Sequence, residues 1–168
     1  MNSIEHQIQR EESGLPVLLT IRGEQYYDGC DPDAAELLTD ASLRDTPEGL
    51  LFSYEESALT GMEGTTTTFE VRGPRVILTR AGAVNSQMIF EEGRQHTSLY
   101  ETPFGELSVD IQTSHLRHNL TERGGVLEIK YSIAVDHTAT GRNVFKIHVR
   151  PKTSSRAAPP PPEAPSAE

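Results

Sequence analysis

Apolar and polar residues alternate with a period of two along most of this chain. Val17, Leu19 and Ile21 alternate with Leu18, Thr20 and Arg22, and Thr65, Thr67, Phe69 and Val71 with Thr66, Thr68, Glu70 and Arg72. Leu107, Val109 and Ile111 continue the pattern, as do the odd positions from Leu127 to Val135, and Phe145, Ile147 and Val149. One apolar and one polar face per segment predicts antiparallel strands with water on one side. Turn signals separate the runs: Asp28-Gly29, Pro47-Glu48-Gly49, Arg72-Gly73-Pro74, Glu92-Gly93, Pro103-Phe104-Gly105, Gly124-Gly125 and Thr140-Gly141. Strands recur at intervals of about 10 to 15 residues, as in meandering hairpins. The expected fold is therefore all-β, a single antiparallel up-and-down β-barrel of about eight to ten strands, because closing the sheet removes its edges. A two-sheet sandwich is the alternative. The only helical expectation is one turn at most over Asp33 to Leu38.

Composition narrows the partners. The 168 residues carry 15 Lys and Arg against 25 Asp and Glu, a formal net charge of −10. The cations are scattered singly, so neither a nucleic acid nor an anionic membrane is an expected partner. A single cysteine, Cys30, excludes an internal disulfide and suits a reducing compartment. No apolar leader core follows Met1 and no apolar run reaches membrane-spanning length, so a cytoplasmic location is expected. Residues 1–14 read as a polar flexible head and 15–152 as the barrel domain. Residues 153–168, with Pro159 to Pro162 among Ala, Ser and Glu, read as a disordered tail of polyproline II character.

The best chemical signal is polar residues on otherwise apolar faces. Stepping by twos from Phe52 reaches Tyr54 and then Glu56, and from Val76 and Leu78 reaches Arg80. From Val17 the same step ends at Gln25, and from Leu107 at Thr113 and His115. If those faces point inward, charges enter the lumen, and a desolvated charge must be paired or hydrogen-bonded. Glu56 and Arg80 are therefore expected to contact each other or a shared ligand, with Tyr54, Gln25 and Thr113 as further ligand-contacting residues. Two readings stay open: an anchor for the polar head of a small ligand, or a structural ion pair and rim residues.

Other residues carry less. Glu55 and Glu56 are adjacent and face opposite sides of a strand, so they form no acid–base pair. The six histidines lack metal-ligand spacing; His115 and His118, three apart, fall on opposite strand faces. Asp28, Asp31 and Asp33 lack the closing Glu of a calcium loop and read as a turn. Cys30 has acidic neighbours that disfavour a reactive thiolate. Thr65 to Thr68 is β-branched strand material. No catalytic residue, metal or cofactor is expected.

Longer phrases add a resemblance. Phe52-Ser53-Tyr54-Glu55-Glu56-Ser57 runs into Thr60-Gly61-Met62-Glu63 and Thr66-Thr67-Thr68. Leu78-Thr79-Arg80-Ala81-Gly82 and Tyr100-Glu101-Thr102-Pro103-Phe104-Gly105 follow. In this order they resemble the YwiB-like family of small uncharacterised bacterial proteins, over about Pro16 to Arg150. The resemblance implies a calycin or lipocalin-like β-barrel and brings no activity and no site residues. The functional expectation is a non-enzymatic barrel with a small, partly apolar, anionic ligand in its lumen. The alternative is an interaction module, monomeric or a homodimer, with a filled core.

Overall fold

Period-two alternation resolves into ten strands: β1 (Leu15–Tyr26), β2 (Asp33–Thr46), β3 (Gly49–Glu55), β4 (Thr65–Arg72), β5 (Arg75–Gly82), β6 (Ser86–Glu91), β7 (Gln95–Thr102), β8 (Gly105–His118), β9 (Gly125–Val135) and β10 (Thr138–Pro151). The structure, a computed structural model, describes residues 14–27, 29 and 31–152. The polar head up to residue 13, the tail 153–168, Asp28 and Cys30 lie outside the described residues, with the expectations placed on them. One antiparallel sheet runs in the order β6-β5-β4-β3-β2-β1-β10-β9-β8-β7. The first and last strands pair from Val17↔Pro151 to Tyr26↔Arg142. The result is the expected up-and-down barrel, nearly closed, consistent with a calycin-like shape.

Two local expectations are corrected. Asp33 to Leu38 is strand, not a helical turn: β2 pairs with β1 from Gln25↔Asp33 to Leu15↔Leu43. Pairing with a long neighbour outweighs the local preference of an Ala- and Leu-rich stretch. Thr140-Gly141 is not a turn but a bulge within β10, where the register shifts between Ala139 and Gly141. The turn falls at Asp136 and His137, both left-handed at φ 48° and 67°, as a two-residue hairpin loop requires. Among the described residues the only helix is the 3₁₀ turn Ala58–Thr60.

Cross-strand pairing stacks the interior in rows. Leu50, Val71, Val76 and Phe90 make one row across β3 to β6, and Phe52, Phe69, Leu78 and Met88 the next. Phe52 and Phe69 are stacked at 5.0 Å between ring centres. Phe90 from β6 meets Tyr131 of β9 edge to face at 4.8 Å, so side chains fill the lumen at this level.

Only one consecutive pair lacks a ladder. β6 and β7 leave the turn at 92–94 without pairing, and side chains close that end instead. Glu91 accepts from Arg75 Nε of β5 at 2.8 Å and meets His96 Nε2 of β7 at 3.1 Å. Gly93 N donates to Thr113 O, Thr113 N to Arg94 O, and Leu116 N to the Glu92 carboxylate. Among the described residues no such bonds tie the far ends, near Ser86 and Tyr100.

The His96 contact, then Arg75, lowers the Glu91 pKa below the usual carboxylate value. A depressed folded-state pKa stabilises above the unfolded value and loses that effect as pH falls through the folded value. Amide protection at Gly93 and Thr113 should therefore drop, relative to β1–β10 amides, below the usual carboxylate range. Glu91→Gln should remove that pH dependence; an unchanged profile in Glu91→Gln contradicts the clamp.

Candidate functional site

One interior row breaks the apolar pattern. Tyr54 of β3 pairs with Thr67 of β4, Thr67 with Arg80 of β5, and Arg80 with Ser86 of β6. Paired positions share a face, and Phe52, Leu78 and Met88 in the next row fix that face as the interior. Tyr54 and Thr67 are buried and Arg80 is partly buried. One row further, Glu56 N donates to Thr65 O at 2.8 Å, and Thr65 pairs with Gly82. Gly82 sits at φ 127°, where a Cβ would come 2.2 Å from Gly64 O, so a side chain does not fit there.

The Glu56 carboxylate, 5% exposed, is satisfied by hydroxyls. It accepts from Thr67 Oγ1 at 2.6 Å and from Thr60 Oγ1 at 2.8 Å. The 3₁₀ turn Ala58–Thr60 delivers Thr60, and Ser57 caps it by accepting from Leu59 N. No ion pair joins Glu56 and Arg80 among the described residues; Tyr54 and Thr67 stand at their junction. Burial, and then the Glu56 charge, push the Tyr54 phenol far above its usual pKa, with Arg80 partly offsetting them. Burial does the same for Tyr131, again opposed by Arg80. Both phenols thus lie in the field of the guanidinium.

Arg80, unlike Glu56, has no hydrogen-bond partner among the described residues. No acceptor reaches its buried Nε among the described residues, and the same holds for Ser86 Oγ beside it. Both line a pocket of about 350 Å³. Met88 of β6, Leu107 and Val109 of β8, and Ile133 and Val135 of β9 supply most of its wall, with Ser98 and Tyr100 from β7. This pocket occupies the unpaired ends of β6 and β7, and the exposed Leu99 stands at its edge.

The remaining sequence candidates lie elsewhere. Gln25, Asn143, Tyr131 and Thr113 form a row across β1, β10, β9 and β8. Gln25, at its outer end, is exposed and accepts from Tyr27 Oη at 2.8 Å, so it is a rim residue. Thr113 is fully buried, its hydroxyl unpaired among the described residues, and its backbone joins the 92–94 turn. The expected inward path from Thr113 to His115 is corrected by a bulge between them. It turns His115 outward to Glu128 at 3.3 Å. Sequence reasoning passed over Ser86, although stepping back by twos from Phe90 through Met88 reaches it. It also passed over the hydroxyls of Thr60 and Thr67 that hold Glu56.

A family model described as a domain of unknown function, DUF1934, matches residues 19–147. The chain belongs to this family. Among solved structures, it is similar to one titled "Crystal structure of ywiB protein from Bacillus subtilis", with a TM-score of 0.72 and 22% identity. The match covers 83% of this chain and 93% of that one, and shows a shared fold. A search of curated proteins gives no match. Among the described residues no helix is long and apolar enough to cross a membrane. The family description names no activity, so the site rests on its own geometry.

That geometry is checked by alkaline titration. Tyr54 and Tyr131 should remain protonated where an ordinary phenol, of pKa about 10, has ionised. Tyr54→Phe and Tyr131→Phe should each leave the amplitude of the ordinary phenolate absorbance step unchanged. A reduced step in either variant would mean that the phenol is not buried as described.

Proposed function

We propose that this protein is a non-catalytic binding barrel of the cytoplasm that holds a small amphiphilic anion. The acid group sits on Arg80 and Ser86, and the apolar body on Met88, Leu107, Val109, Ile133 and Val135. One observation carries the reading: a partly buried guanidinium without a hydrogen-bond partner among the described residues, at the wall of an otherwise apolar pocket. Leaving a buried donor unmade costs about 1–3 kcal/mol, more for charged groups, and an anion would recover it through charge-assisted bonds. Glu56 is outside the pocket lining and serves to hold Thr60, Thr67 and the Tyr54 end of the row. The cytoplasmic assignment rests on the single cysteine, which suits a reducing compartment.

A fluorescent anilinonaphthalene sulfonate should bind saturably and be displaced by octanoate far better than by octanol. Arg80→Leu should weaken octanoate roughly 10- to 100-fold with the strand circular dichroism intact. Val109→Trp, which fills the pocket, should abolish binding. Octanoate binding unchanged in both variants contradicts the reading.

A second reading, an interaction module or homodimer, is favoured by the β7–β8 hairpin. It exposes Leu99 at 63% and Phe104 at 100%, a pairing of apolar tips that suits a protein contact. On this reading the protein sediments as a dimer and Phe104→Ser as a monomer; identical monomers in both would dismiss it.

A further inference from the structure

We propose that the outer face of β1, β10, β9 and β8 carries a second site, separate from the lumen, for a phosphorylated and hydroxylated small molecule. The cations are scattered along the chain, but strand pairing gathers three of them. Arg142 and Lys146 lie two residues to either side of Val144 on β10, and Lys130 of β9 is the cross-strand partner of Val144. Residues two apart share a face, and direct or diagonal neighbours stand roughly 5–8 Å apart. The three cations therefore ring Val144. They line a concavity of about 440 Å³, with Tyr26, Gln112, Ser114 and Ser132 among its other walls.

The local charge differs from that of the rest of the molecule. Among the described residues no carboxylate lies within 4.0 Å of Arg142 or Lys146. Lys130 is 3.8 Å from Glu128, which His115 also contacts. The one carboxylate lining the concavity is Glu24. It faces Val144 from β1 and is occupied by Tyr26 Oη at 2.5 Å and Arg22 Nε at 2.9 Å. Glu128, the cross-strand partner of Lys146, is engaged by Lys130, and Glu24 by Arg22, so Arg142 and Lys146 remain as two positive charges without a carboxylate within 4.0 Å among the described residues, in a protein of net charge −10.

That charge selects the ligand class. A phosphomonoester is close to a dianion at neutral pH, with a second pKa of about 6, and it balances the patch, whereas a single carboxylate balances half. Ser114, Ser132, Gln112 and Tyr26 supply hydroxyl and amide groups for a polyol, and Val144 a small apolar floor. The volume lies within the range of about 300–1,000 Å³ usual for small-molecule sites.

Titration of the full chain with ribose 5-phosphate, followed by amide chemical shifts, tests this. Shifts at Lys130, Arg142, Val144 and Lys146 should saturate, at lower concentration than with inorganic phosphate. Arg142→Glu and Lys146→Glu should each weaken binding roughly tenfold or more. Arg150→Gln, a cation on the same face of β10 outside the concavity, should leave it unchanged, as should Arg80→Leu. Equal weakening by Arg150→Gln would mean diffuse screening and overturn the site. Equal affinity for phosphate and ribose 5-phosphate would overturn the hydroxyl contacts. Tighter binding of a polyglutamate peptide would overturn the small-molecule assignment in favour of an acidic protein segment.

Discussion

The structure depends on a ladder that does not form. Nine of the ten neighbouring relations around this barrel are continuous backbone pairing, including the one between its first and last strands. The exception is β6 against β7. At the turn end, the Glu91 carboxylate, the Glu92 carboxylate and the backbone of Thr113 substitute for it. At the other end nothing among the described residues does, and the lumen communicates with the surface there. Unpaired strand edges normally invite other chains. Here the two edges face each other across an apolar pocket, which makes the interruption a place for a ligand.

Where that gap falls matters because polarity changes along the barrel axis. The rows from Leu50 to Phe90 and from Phe52 to Met88 are apolar and filled, with the Phe90–Tyr131 contact reaching across the lumen. The row from Tyr54 to Ser86 is polar and ends at the seam. Two charged residues meet different fates here, the partly buried Arg80 within this row and the buried Glu56 one row beyond. Glu56 is held by two hydroxyls supplied by local chain geometry. Arg80 lies near two protonated phenols and has no acceptor for its buried Nε among the described residues. Hydroxyl hydrogen bonding offsets the desolvation of a carboxylate; nothing comparable serves the guanidinium.

Much of this was legible before any coordinates. Strand faces followed wherever alternation was clean, and stepping along those faces located Tyr54, Glu56, Arg80 and Thr113 in the interior. The reading failed where a non-local event decided the outcome. Bulges at Thr113/His115 and Ala139/Gly141 each shift the side-chain order by one, so His115 turned outward and a turn signal became strand. β2 took its state from β1 rather than from its own residues. Gln25 lies on the expected face, but beyond the end of the enclosed barrel. The Arg142–Lys146–Lys130 cluster was invisible because pairing of β9 with β10, not sequence proximity, brings it together.

The central claim is that the seam pocket holds a small anion on Arg80. Native mass spectrometry of gently purified protein, set against the same sample denatured, tests it most directly. The account predicts a mass surplus of a few hundred daltons or less that denaturation removes and that Arg80→Leu never carries. A surplus retained equally by Arg80→Leu, or a bare chain mass that excess octanoate does not shift, would contradict it.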